Sequence, residues 1–211
     1  MNLQDTLNNR KILNNKENIT ILTNKIVDDF FYKNPNAKTF VIPESVTKIG
    51  EYAFQNCTSL EKITIPDSVT KIGNGAFDGC KNLKEITIPD SVTKIDGGAF
   101  YGCKNLTQIS IPDSVTEIGE CAFENCKNLT EINIPDSVTR IGDDAFNSCE
   151  NLKEIIFQNP SSLNQMKLGE NVFSGCDLEN INITFLDNKL DKEDMTNSIS
   201  DTKKDENDLE L

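Results

Sequence analysis

Among its 211 residues the sequence has no histidine and no tryptophan. Without imidazole, Ser-His-Asp and Cys-His catalysis have no base, and the commonest metal ligand is missing. Positive charge is also scarce: 21 basic residues face 34 acidic ones, a net charge of −13. A phosphate backbone or an anionic lipid surface repels that balance, which argues against nucleic acid and membrane surfaces as partners. No apolar run approaches the roughly 20 residues that span a bilayer. The opening stretch MNLQDTLNNRKILNNKENITILTNK has no apolar segment of signal-peptide length. As written, the chain is expected to be cytoplasmic with no membrane span, the alternative being a cell-surface or secreted protein exported by a non-classical route. It has no phosphate loop and no converging set of unlike polar groups, so the expectation is a protein without catalysis or cofactor.

What is present is repetition. Prolines fall at 43, 66, 89, 112 and 135, phenylalanines at 54, 77, 100, 123 and 146, and cysteines at 57, 80, 103, 126 and 149. A fixed step in the range of 20–29 residues is the mark of a solenoid. Five full 23-residue units cover 42–156. Residues 19–41 align without gaps on 42–64, setting Lys25-Ile26 against Lys48-Ile49, and read as a degenerate N-terminal capping repeat. Residues 157–186 keep Phe173, Cys176 and Leu178 in altered spacing and read as a degenerate C-terminal capping repeat. The expectation is about seven coils. Residues 1–18 read as a marginal helix or a disordered segment. Residues 187–211, acidic and poor in apolar pattern, read as a disordered tail.

One unit shows why these letters make a coil. Leu83, Ile86 and Ile88 are spaced L-x-x-I-x-I, the last two alternating as on a strand. Pro89 has no N–H and ends the ladder. Short parallel strands are therefore expected at 60–65, 83–88, 106–111, 129–134 and 152–157. After an Asp-Ser turn, Val-Thr-Lys-Ile runs along a second side. The stretch Asn74–Cys80 has room for one helical turn with Phe77 inside. The residue before each cysteine (Asn56, Gly79, Gly102, Asn125, Ser148, Gly175) is mostly Gly or Asn, which predicts a left-handed turn there.

The motif IPDSVTKIG, then AF, then CKNLKEIT resembles the BspA-like leucine-rich repeat family. The resemblance implies an α/β, right-handed leucine-rich-repeat solenoid with short parallel strands. It also implies a non-catalytic binding role like that of surface adhesion and host-protein-binding members; an intracellular interaction scaffold is the alternative. The partner expected is a protein, and the scaffold is expected to be a monomer.

Three ladders invite chemistry. One cysteine per rung gives no tetrahedral metal site, and parallel Cβ vectors on neighbouring rungs set the Cβ atoms slightly too far apart for good disulfide geometry, so the six ladder cysteines read as buried reduced thiols. Cys121 stands outside the ladder, aligned with Tyr52, Gly75, Gly98 and Asp144, and is the candidate reactive thiol. Glu44, Asp67, Asp90, Asp113 and Asp136 follow the prolines. Paired carboxylates can hold Ca²⁺ or act as acid and base, but the reading adopted is Asx-type turns. Lys48, Lys71, Lys94 and Arg140 recur four positions later as a row able to offset the carboxylates, with Glu117 breaking it. Asn82, Asn105, Asn128 and Asn151 read as structural.

The outward strand positions are Lys62, Thr64, Glu85, Thr87, Gln108, Ser110, Glu131, Asn133 and Glu154, together with Ile156. They are mostly small and polar and vary little between coils. They form the candidate binding face, suited to weak contacts repeated along an extended partner.

Overall fold

The computed structural model describes residues 20–158 and 166–185. The expectations for residues 1–18 and for the tail 187–211 lie outside the described residues, as do 159–165.

Each coil contributes one strand to each of two parallel sheets. The first sheet stacks β1 (Ile21–Leu22), β3 (Lys48–Ile49), β5 (Lys71–Ile72), β7 (Lys94–Ile95), β9 (Glu117–Ile118), β11 (Arg140–Ile141) and β13 (Lys167–Leu168) in that order. The second stacks β2 (Thr39–Val41), β4 (Lys62–Thr64), β6 (Glu85–Thr87), β8 (Gln108–Ser110), β10 (Glu131–Ile134), β12 (Glu154–Phe157) and β14 (Asn182–Phe185). Pairing is parallel throughout, with register set by the 23-residue step within the five full repeats: Glu85 faces Gln108, and Gln108 faces Glu131. These strands fall where the alternation put them, two or three residues shorter. The first sheet occupies the Val-Thr-Lys-Ile side.

The third side departs from the expected helical turn. Asn74–Gly79 is a run of tight turns: the amides of Ala76, Asp78 and Cys80 bond the carbonyls of Gly73, Gly75 and Phe77 at 3.0–3.1 Å. The intervening amides point along the stack. Gly75, Phe77 and Gly79 donate to Gly97, Ala99 and Tyr101 of the next coil at 2.8–2.9 Å. That arrangement needs two left-handed residues per coil. The row before the cysteines supplies one, and even Ser148 adopts φ 58°. The row of Tyr52, Gly75, Gly98, Cys121, Asp144 and Asn171 supplies the second, at φ 52–59°.

The core is a set of ladders. Phe54, Phe77, Phe100, Phe123, Phe146 and Phe173 stack with ring centroids 5.0–5.4 Å apart and planes within 9° of parallel. Each coil's apolar side is covered only by its neighbours, so repetition makes the core continuous.

The first coil differs from its gapless alignment. Ile21 and Leu22, not Lys25 and Ile26, pair with Lys48 and Ile49. A ten-residue helix α1 (Asn24–Lys33) fills the interval and buries Val27 and Phe30. Phe30 meets Phe40 edge-on at 5.0 Å, and Phe40 meets Phe54 edge-on at 5.1 Å, which ends the stacked series.

Candidate binding face

The second sheet turns its alternate residues outward because inward Ile63, Ile86, Ile109, Ile132 and Ile155 are all buried. Lys62, Thr64, Glu85, Thr87, Gln108, Ser110 and Glu131 are exposed, while Asn133, Glu154 and Ile156 are half-buried. Glu85, Thr87, Gln108, Ser110, Glu131 and Asn133 line one shallow depression of about 390 Å³. Lys62 and Thr64 lie beyond one end of it. Glu154 lies beyond the other, where it accepts the Thr184 hydroxyl at 3.0 Å. Lys62 Nζ pairs with Glu85 Oε2 at 3.0 Å, whereas Glu131 has no cationic partner among the described residues. Asn133 Oδ1 is buried in the sheet and, among the described residues, accepts no hydrogen bond.

The turn after this face is built differently from the expected Asx-type turn. Val69 N closes it onto Pro66 O at 3.0 Å. The neighbouring serine, not the aspartate, supplies the side-chain bond: Ser68, Ser91, Ser114 and Ser137 donate to the valine carbonyl of the preceding coil at 2.5–2.7 Å. A hydroxyl reaches back a coil, and that leaves the carboxylates of Glu44, Asp67, Asp90, Asp113 and Asp136 exposed. Asp113 accepts the Gln158 amide at 3.0 Å.

The basic row does not offset them. Lys71 binds Asp96 at 2.8 Å, Lys94 reaches both Asp96 (3.6 Å) and Glu117 (3.0 Å), and Arg140 binds Glu117 at 2.7 Å. Glu117 therefore joins the row instead of breaking it, and its carboxyl is held below the usual range by the hydrogen bond from Lys94. Asp96 is 7% exposed and stands where other coils have glycine.

The asparagines are structural. Asn105, Asn128 and Asn151 each donate to the side-chain oxygen of the asparagine one coil earlier, at 3.1–3.4 Å. Cys57, Cys80, Cys103, Cys126 and Cys149 are buried free thiols; Cys176 is half-buried where the coils end. Cys121 is half-buried too. Burial, a hydrogen bond with Glu124, and the charges of Glu124, Asp144 and Glu120 push its thiol up to about 12. The expectation of a reactive thiol thus meets an environment that opposes the thiolate. Among the described residues no group of His, Cys, Asp or Glu is placed to hold a metal ion.

A BspA type Leucine rich repeat region is matched in six copies over residues 24–96 and 70–198. The chain belongs to this family. Among solved structures, this BspA-type chain is similar to a leucine rich cell surface protein from Faecalibacterium prausnitzii A2-165. The two share 37% identity over 63% of this chain and 35% of that one, with a TM-score of 0.61. A leucine-rich repeat protein from Bacteroides ovatus ATCC 8483 shares 34% identity over 71% of this chain and 38% of its own, with a TM-score of 0.63. A leucine rich repeat protein of T. pallidum shares 30% over 67% and 77%, with a TM-score of 0.52. The chain spans little more than a third of the length of the first two. No curated protein is similar enough to match it.

Proposed function

We propose that the protein is a non-catalytic protein-binding scaffold that works at a cell surface as a monomer. Its partner lies across several coils of the second sheet's outward face. The observation that carries this reading is the face itself. Polar side chains repeat in register over β4 to β10, a long one (Lys62, Glu85, Gln108, Glu131) beside a small one (Thr64, Thr87, Ser110, Asn133), and a shallow depression at its centre offers contact area without converging catalytic groups. Near-identical rungs suit an extended partner gripped weakly at many points, where linkage between contacts supplies the affinity. The likeness to a bacterial cell surface protein favours the surface over the cytoplasm. Among the described residues no helix is long and apolar enough to cross a membrane.

The test is a pair of variants measured against a protein partner. Thr87→Arg with Ser110→Arg, placed in the depression, is expected to weaken binding at least about tenfold by clash and desolvation. Glu51→Arg with Glu120→Arg, on the turn side, is expected to leave it unchanged. The reverse pattern would move the binding face to the turns.

A further inference from the structure

We infer that the partner segment held by this face is basic: an extended stretch of chain bearing Lys or Arg, seated over β8 and β10 and along the aspartate row at their C-terminal ends. This rests on the strand face being the binding face and adds the chemistry of what binds.

Four observations converge. The depression has an acidic wall at each end, Glu85 and Glu131, with only neutral side chains between. Lys62 already occupies Glu85, so the uncompensated charge sits at the Glu131 end. The second observation is the edge. Asp90, Asp113 and Asp136 are exposed on consecutive coils, roughly 4.8 Å apart by the inter-strand spacing. Lys94 and Arg140, the cations that follow Asp90 and Asp136, are committed to Asp96 and Glu117 on the other sheet, and Asp113 is followed by Glu117 itself, taking only the neutral Gln158 amide. Third, the exposed groups that face a partner here, Glu131, Asp113 and Asp136, are carboxylate acceptors. Lys and Arg are donor-only side chains, which the acceptors of this site match. Fourth, both edges of β8 and of β10 are paired within the sheet. A partner strand cannot add to the ladder there and must engage through side chains. The small Thr87 and Ser110 let its main chain approach the face.

Electrostatic complementarity of this kind governs encounter and selection of partner, and it weakens as salt screens it. The probe is a fluorescein-labelled Arg-Ser repeat peptide, titrated by anisotropy against the full chain at low and at physiological salt. An Asp-Ser repeat serves as the opposite-charge control. Binding of the basic peptide that weakens with salt, and no binding of the acidic one, is expected. The variant Asp113→Asn, Asp136→Asn, Glu131→Gln should lose about tenfold in affinity. The variant Glu51→Gln, Glu120→Gln, Glu170→Gln removes the same charge from the turn side and should lose less than about twofold. Equal losses in the two variants would show general attraction to an acidic protein and overturn the inference. So would failure of the basic peptide to bind the unaltered chain. If that failure occurs while the arginine variants in the depression still release a protein partner, only the basic chemistry is wrong and the binding face stands.

Discussion

Cys103 Sγ lies 3.2 Å from the carbonyl oxygen of Phe77 in the preceding coil, an oxygen that also accepts the Cys80 amide at 3.1 Å. The same bond recurs from Cys80, Cys126, Cys149 and Cys176 to Phe54, Phe100, Phe123 and Phe146 at 3.0–3.3 Å. The ladder thiol is a coil-to-coil donor as well as a small apolar filler. Cys103→Ala removes the donor and opens a small void, and is expected to lower unfolding free energy by about 1–2 kcal/mol. Cys103→Ser retains a donor and should cost less. Urea melts at neutral pH measure both, and a serine variant less stable than the alanine one would leave the bond without energetic weight.

Burial pushes these thiols up from an ordinary value of 9.0, to about 12 for Cys57 and Cys126, about 11 for Cys176, and well upward for Cys80, Cys103 and Cys149. Below pH 9 both folded and unfolded chains hold these protons, and the thiols add no pH slope. Above it the unfolded chain releases them first, so stability falls as pH rises toward the folded values. Each thiol contributes up to about 1.4 kcal/mol per pH unit. The urea midpoint should therefore drop steeply between about pH 9 and 11, and less steeply in Cys103→Ala. A flat alkaline profile would contradict buried thiols.

Cys121 is expected to alkylate before the five buried ladder cysteines, but slowly at neutral pH, because burial and then its surrounding carboxylates keep it protonated. Glu124→Gln removes the hydrogen bond and the nearest charge, and should speed labelling severalfold at a fixed pH. Mass spectrometry of partly labelled protein reads the order. Uniform labelling of all seven cysteines would mean that the stack opens as readily as Cys121 is reached.

Gly119 sits where a Cβ would fall 2.5 Å from Gly97 N and 2.7 Å from Asp96 C in the coil before. At Gly98 the nearest atom to a Cβ is 3.9 Å away, although its φ is 59°. Gly119→Ala must push two coils apart and is expected to cost about 2–3 kcal/mol. Gly98→Ala meets only the left-handed penalty of about 1 kcal/mol. Equal thermal shifts would show that backbone contact between coils is not what limits this position.

These effects show where the sequence could be read and where it could not. The strands before proline were legible because Ile86 and Ile88 alternate and Pro89 ends the ladder. Strands of the first sheet are two residues long, too short for any alternation, and their pairing comes from the stack. Helix α1 was hidden by the repeat itself. Imposing the 23-residue step aligned Lys25-Ile26 with Lys48-Ile49, although Ile26, Val27, Phe30 and Phe31 have the i, i+1, i+4, i+5 spacing of a helix face. The second left-handed row was masked by variety, since Tyr52, Cys121 and Asp144 give no glycine signal and are held at positive φ by inter-coil bonds such as Cys121 N to Asp143 O at 2.8 Å. At the candidate face, the outward residues followed from the alternation. The exposed aspartate row did not, because Ser68 and Asp67 are equally good turn residues and only geometry shows which one bonds.

The central claim is that binding is spread over coils that are held only by their neighbours, and deletion of residues 88–110 tests it most directly. The cut removes one 23-residue period, joins Thr87 to Ile111, and brings β6 beside β10 and Lys71 beside Glu117. Thermal unfolding and partner binding are measured on the same preparation at fixed salt. Cooperative unfolding with a several-fold loss of affinity, growing when 88–133 is deleted, is the predicted result. A chain that unfolds cooperatively but no longer binds at all after the first deletion would contradict it, because a single localised site would then carry the function.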